Sequence, residues 1–271
     1  MTTFQMISGL PRSGSTLLSA ILRQNPRFIA GVTSPVAMLC TNLLHSMSSA
    51  NEFSPFFTDE RRRAIIHGVF DAYYGQGQPN RVVFDTNRTW TARLSLVAEL
   101  YPNAKVICCV REVAWIIDSI ERLVSRNALQ PSRIFNYKTG GSIYARAETL
   151  MDRERGLIGL AWTSLREAWF GEHADRLIVV RYESLTRDPA DVMRRLYKEL
   201  NEPFVDHDFN NVIYDEPGYD AELGTPGLHQ VRSKVEYRER ETCLPLDLFA
   251  KYAGVNFWLS PKLNQRGVFV I

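Results

Sequence analysis

The sequence predicts an α/β fold in three layers, a central parallel sheet flanked by helices, with residues 1–271 forming one domain. Three observations carry that expectation. Short apolar runs of strand length alternate along the whole chain with longer amphipathic stretches, the rhythm of βαβ units. One run, KVICCV (105–110), is apolar without interruption, as a strand covered on both faces should be. The first run, FQMIS (4–8), leads through a glycine-bearing turn straight into helical spacing, the setting of a phosphate-binding loop.

Taken in order, FQMIS is the first strand and GLPRSGSTLL (9–18) the turn. Leu17, Leu18, Ile21 and Leu22 then lie on one face of a helix that Pro26 ends. RFIAGV (27–32) predicts a second strand, and VAMLCTNLLHSM (36–47) a helix. NEFSPFFTDE (51–60) is aromatic and turn-rich; Thr58 can cap a helix reaching Tyr74, with Asp59 and Glu60 in its first turn. GQGQPN (75–80) is a turn cluster, and RVVFD (81–85) a strand. A helix is expected from Thr91 to Leu100, with Asp85 or Thr89 as its cap. KVICCV follows, then a helix marked by Val113, Ile116, Ile117, Ile120, Leu123 and Val124. Residues 127–156 read as a polar excursion running into part of a helix. Leu157–Phe170 is a helix, RLIVVRY (176–182) a strand ending at Arg181-Tyr182, and Pro189–Leu200 a helix opened by proline. Residues 201–225 are acidic and irregular, and TPGLHQVRSKVEYRER (225–240) is basic without periodicity. Pro245–Tyr252 is a short helix and GVFVI (267–271) an edge strand.

The first turn sets the chemistry. Gly9, Gly14 and Ser15-Thr16 outline a P-loop, so the sandwich is P-loop-like, but the lysine expected after the second glycine is Ser15. A nucleoside triphosphatase needs that lysine on the β- and γ-phosphates. With Arg12 as the nearby cation, Pro11, Arg12, Ser13, Gly14, Ser15 and Thr16 suit a smaller anion, a 5′-phosphate or phosphosulfate. A second anion site is read from Arg111, at the end of KVICCV, and Ser119, two turns along the following helix. At the end of the third strand, DTNR places Asp85, Asn87 and Arg88 where ligands bind in open α/β sheets. With 45% hydrophobic and 23% charged residues and a net charge of +2, nothing compels nucleic acid as a partner, and no apolar run approaches a membrane span. The four cysteines show neither zinc nor disulfide spacing, and no basic–apolar leader opens the chain, so a cytoplasmic protein without a metal site is expected.

With these residues in place, the chain resembles the 3′-phosphoadenosine-5′-phosphosulfate-dependent sulfotransferases, in particular bacterial members similar to the tyrosylprotein sulfotransferase branch. PRSGST (11–16) looks like the family's 5′-phosphosulfate loop, and VREVAWIIDS (110–119) like its 3′-phosphate region, with Arg111 and Ser119 in the matching places. RYESL (181–185) resembles the strand end where a tyrosine, here Tyr182, lies beside the nucleotide. GLHQVRSKV (227–235) resembles the late loop that closes over the cofactor, which makes Arg232, Ser233 and Lys234 candidates for it. The resemblance implies 3′-phosphoadenosine-5′-phosphosulfate as donor co-substrate, no catalytic metal, and a hydroxyl-bearing acceptor: a small molecule, sugar, lipid or peptide.

Departures from the family pattern concern catalysis. Where the tyrosylprotein enzymes carry a catalytic glutamate, this chain has GVTS (31–34); where they carry a lysine, it has DTNR (85–88). The arginine expected four residues after the helix serine is Leu123, with Arg122 or Arg126 as substitutes. Arg12 is expected to stabilise charge on the departing phosphate. For the general base, Asp85 is the first candidate from its strand-end position, and His229 the second because histidine titrates near neutrality. Phe53, Phe56, Phe57, Trp90, Trp115, Phe135 and Tyr137 are candidate walls of an acceptor pocket. Two other readings stay open: a kinase-like phosphotransferase using ATP with Mg²⁺, and a relative that binds nucleotide without transfer. A homodimer is compatible with the sequence.

Overall fold

The computed structural model describes residues 2–75, 80–127, 129, 133–135 and 141–271. β1 (Thr3–Gly9) leads into α1 (Ser15–Leu22), then β2 (Phe28–Ala30), α2 (Val36–Ser46) and α3 (Asp59–Tyr74). The Thr58 hydroxyl caps α3 by accepting from Arg61 N at 3.3 Å, as expected. β3 (Val82–Thr86) is followed by a 3-10 turn, Arg88–Arg93, and only then by α4 (Leu94–Leu100). Neither Asp85 nor Thr89 caps that turn. Asn87 does, its Oδ1 accepting from Thr89 N at 3.1 Å. β4 (Val106–Val110) and α5 (Val113–Arg126) come next, then α6 (Ile143–Met151), α7 (Gly159–Phe170) and β5 (Leu177–Arg181). Tyr182 does not end this strand; it opens α8 (Tyr182–Arg187), which runs on to α9 (Pro189–Glu199). The acidic irregular stretch contains α10 (Pro217–Glu222), and α11 (Leu246–Ala253) precedes β6 (Phe269–Val270). Most of the turn cluster 75–80 and part of the excursion after Asn127, Tyr137 included, lie outside the described residues.

All six strands pair in parallel, in the order β2-β3-β1-β4-β5-β6, so β1 is flanked by β3 and β4. The period-2 geometry of a strand divides its side chains between two cores. Along β4, Val106, Cys108 and Val110 join a cluster with α2, α3, α5, α7 and α11, while Ile107 and Cys109 join one with α1, α8 and α9. Burial on both faces accounts for the uninterrupted apolar reading of KVICCV. The edge role predicted for GVFVI holds: β6 pairs only with β5. Among the described residues no helix is long and apolar enough to cross a membrane. Because the sheet is parallel, the C-terminal ends of β1, β3 and β4 open on one edge, and the candidate site lies there.

Candidate active site

The loop after β1 is stitched to the neighbouring strand. Gly9 has φ 113°, and a Cβ there would fall 2.2 Å from the Cys109 carbonyl oxygen, so only glycine lets the loop turn against β4. Leu10 N donates to Cys109 O at 2.9 Å, and the buried Ser13 hydroxyl sits 2.8 Å from the same carbonyl, also in reach of Leu10 O. The Ser13 side chain therefore fastens the loop from beneath and does not face a ligand. Arg12 adopts a left-handed backbone, φ 56°, and projects into the cavity above. Gly14, φ 94°, precedes α1 with no side-chain cap, so the first N–H groups of the helix stay open toward the cavity lined by Gly14, Ser15 and Thr16.

That cavity measures about 1720 Å³ and brings together residues far apart in sequence. Arg12 Nε donates to Ser119 Oγ on α5 at 3.1 Å, and its guanidinium also donates to Leu228 O. Arg111, after β4, lays its guanidinium over the Tyr182 ring, 4.2 Å from the centroid, and its Nε is buried without a hydrogen-bond partner among the described residues. Burial and the nearby Arg111 charge both disfavour the Arg12 cation, and neither arginine has a carboxylate partner among the described residues. The sequence-predicted anion residues Arg12, Ser15, Thr16, Arg111, Ser119 and Tyr182 thus line one basin.

An arginine the sequence reading missed completes it. Leu123 is buried, and Arg122 is committed to Asp118 at 3.0 Å and to Glu241 O at 2.5 Å. Arg240, from the basic segment, reaches the fully buried Asp118 at 2.5 Å and lines the same cavity. Arg126 lies instead beside a smaller adjoining cavity of about 530 Å³. Of the three closing-loop candidates, Arg232 and Lys234 line both cavities and Ser233 only the smaller.

The second base candidate gains a partner. His229 Nδ1 lies 2.5 Å from Asp220 Oδ1, and His229 N donates to Asp220 Oδ2 at 2.8 Å. Asp220, on α10, is buried, while His229 lines the cavity with Nε2 as its remaining nitrogen. Burial pushes the imidazole below its ordinary range; Asp220 pulls it back up, and the charges of Arg12 and Arg88 push it down again. Sequence reasoning passed over Asp220 because it sits in a stretch without periodicity. A carboxylate nine residues before a histidine shows no spacing signal until a short helix folds it back.

Asp85, the first base candidate, is corrected. Its side chain is fully buried and does not line the cavity. Oδ1 accepts from Trp90 Nε1 at 2.6 Å, and Oδ2 from Ser34 Oγ at 2.5 Å and Tyr74 Oη at 2.7 Å. Burial raises its pKa against the pull of those three bonds. Its work is to anchor the 31–34 loop, which forms part of the cavity wall. Asp85→Ala should lose about 3–5 kcal/mol of unfolding free energy, since it strands buried donors. A urea midpoint equal to wild type would show that the network does not carry this load.

The aromatic wall is corrected too. Trp90 and Phe135 are buried, Phe57 packs on the core, Trp115 packs edge-on against Phe249, and the exposed Phe53 and Phe56 lie off the cavity. The rings that do line it are Tyr73, Tyr182, Tyr214 and Tyr219.

The chain is similar to known proteins along most of its length. The protein-tyrosine sulfotransferase of Drosophila melanogaster is 26% identical over 257 residues, which cover 92% of this chain and 46% of the relative. Protein-tyrosine sulfotransferase 1 of Danio rerio is 26% identical over 207 residues, covering 74% and 53% respectively. The chain therefore spans about half the length of the curated relatives it matches. Among solved structures, the sulfotransferase domain from the curacin biosynthetic pathway shares the fold, with a TM-score of 0.52 at 18% identity over 98% of this chain and 96% of that one. A profile of the sulfotransferase family matches residues 6–206, and by that match the chain belongs to the sulfotransferase family.

Proposed function

We propose that the protein transfers a sulfuryl group from 3′-phosphoadenosine-5′-phosphosulfate to a hydroxyl acceptor. The observation that carries this reading is the basic basin at the ends of β1 and β4: an uncapped helix N-terminus with Arg12, held on Ser119, and Arg111 over the Tyr182 ring with a buried Nε that has no hydrogen-bond partner among the described residues. A 3′,5′-bisphosphate nucleotide presents two anionic groups to meet them. Ser15 in place of the lysine, together with family membership, does not favour an ATP-dependent phosphotransferase.

When bound, the donor supplies the sulfuryl group, whose S–O bond to the 5′-phosphate breaks as the bond to the acceptor oxygen forms. His229 Nε2 takes the proton of the attacking hydroxyl, and Asp220 holds the ring and stabilises the imidazolium. Arg12 and the first N–H groups of α1 receive the charge that builds on the leaving 5′-phosphate. Arg111, Ser119 and Arg240 fix the nucleotide's register at its other end. Arg232 and Lys234, which line the basin, would serve as its closing segment.

Adenosine 3′,5′-bisphosphate is expected to raise the thermal midpoint. At a hundredfold excess over Kd the stabilisation is about 2.7 kcal/mol, roughly 5–10 °C for a chain of this size. A shift with ATP and Mg²⁺ and none with the bisphosphate overturns the reading.

A further inference from the structure

Asp118 does not line the cavity, yet its carboxylate, fully buried on α5, holds four partners. Oδ2 accepts from Arg122 Nε at 3.0 Å and pairs with Arg240 at 2.5 Å. Oδ1 accepts from Cys243 N at 2.8 Å and from Thr242 Oγ1 at 3.2 Å. Arg122 in turn donates to Glu241 O. Every residue from Arg240 to Cys243 is thereby fixed to α5 through this one group. Beyond them the chain enters the core, with Leu244 and Leu248 buried. Before them lies the largely exposed stretch whose Arg232, Lys234, Arg238 and Arg240 line the cavity.

A buried ion pair is weak grounds for stability, because apolar side chains of similar volume fill the same space without desolvating a charge. The carboxylate is explained instead by where its partners lead. Burial raises its pKa, but the Cys243 N–H, Arg122 and Arg240 more than offset this, and it stays ionised. One negative charge answers two guanidinium groups, so the cluster keeps a positive surplus. Arg240 carries that surplus to the cavity wall, its guanidinium 5.6 Å from the centre of the Trp115 ring. Burial disfavours the Arg240 cation, Asp118 favours it, and Arg111 and Arg122 push against it, so Arg240 stands within electrostatic reach of Arg111 only because Asp118 holds it there. The next residue along α5, Ser119, holds Arg12 Nε at 3.1 Å. Two neighbouring residues of one helix therefore seat two arginines from opposite ends of the chain.

We propose that Asp118 is a positioning residue for nucleotide selectivity: it seats Arg240 so that the basin tells a nucleotide carrying a 3′-phosphate from one without it. The proposal rests on the sulfotransferase reading above and assigns the discrimination to a residue that never meets the nucleotide. A guanidinium held at a fixed angle meets a phosphate through two parallel bonds, whereas one free to swing in water gives up most of that gain to side-chain entropy. Without the carboxylate, Arg111, Arg122 and Arg240 are left as like charges that drive one another apart.

The test titrates the full chain with adenosine 3′,5′-bisphosphate and with adenosine 5′-monophosphate by calorimetry at one ionic strength. The wild type should bind the bisphosphate at least tenfold more tightly. Asp118→Asn should cut that ratio fivefold or more while affinity for the monophosphate stays within twofold, and Arg240→Gln should do the same. The double variant should lose no more than either single one, since both remove the same contact. Arg122→Gln, which removes the other guanidinium, should keep the wild-type ratio. An Asp118→Asn variant that weakens both nucleotides alike has a structural role only and overturns the proposal. So does a wild-type ratio in Arg240→Gln, or equal binding of the two nucleotides by the wild type. Should Asp118→Asn not fold, Arg240→Lys decides: an ammonium cannot span Asp118 and a phosphate as the fork does, so most of the ratio should go, and a retained ratio overturns the proposal. Absence of any bisphosphate binding by the wild type is a separate result: it removes the donor reading and the proposal with it.

Discussion

Arg12→Ala should bring sulfuryl transfer down by about 10²–10³-fold, the loss expected when one donor to a developing oxyanion is removed from a dry, preorganised site. The case for so large an effect lies in how Arg12 is held. Its backbone is left-handed, its Nε is fixed on Ser119, and its charge has no carboxylate partner among the described residues. A preorganised cation of this kind reorganises little as charge builds on the leaving phosphate. The fold should survive, since the side chain serves the cavity and not either hydrophobic core. Turnover of acceptor by the purified variant, with its thermal midpoint as control, checks this. Arg12→Lys should recover only part of the loss, because an ammonium cannot reach Ser119 and a phosphate oxygen with the same fork. Near-normal turnover in Arg12→Ala would move the leaving-group site off this loop.

His229→Gln should cost about 10²–10⁴-fold in kcat, the usual worth of a positioned base. The pH dependence makes the assignment specific. Proton abstraction needs the neutral ring, and burial together with Arg12 and Arg88 lowers its pKa. Activity should therefore climb with pH through a midpoint below histidine's ordinary value and level off above it. Asp220 favours the imidazolium, so Asp220→Asn should move that midpoint further toward acid while lowering the plateau, because the ring loses its orienting partner. A rising limb that persists unchanged in His229→Gln would assign the proton to another group.

Much of this arrangement could be read from the chain because the signals were local. The five longer strands are apolar runs bounded by turn residues, and the loop after β1 announces itself by glycine spacing and by the order strand, turn, helix. Arg111 and Ser119 were legible as lining of one cavity because a strand end and the helix that follows it face the same edge of the sheet, although Ser119 bonds Arg12 and not Arg111. What stayed hidden depended on distance. Arg240 enters the site only because Asp118, buried on α5, draws it there, and no periodicity links those two positions. Asp220 is brought under His229 by a helix of only six residues, too short to print a pattern. Asp85 was misjudged for a different reason: the end of a strand says where a residue is, but the pleat decides which way it points. Its pleat turns it to Trp90 and Tyr74, inside the larger core.

The strand order has a consequence for how the chain reaches this state. In an all-parallel sheet no strand can zip onto its neighbour through a tight hairpin. Thr3 must find Val82, and Ile178 must find Phe269, each across a long intervening loop whose closure entropy is spent before any pairing rewards it. The nascent chain therefore carries several unpaired, strongly apolar segments at once, KVICCV and LIVV among them, until late contacts cover them. Recovery from denaturant should be slow and sensitive to concentration. Low temperature during synthesis, dilute refolding, or a helper that shields those segments will govern how much usable protein is obtained.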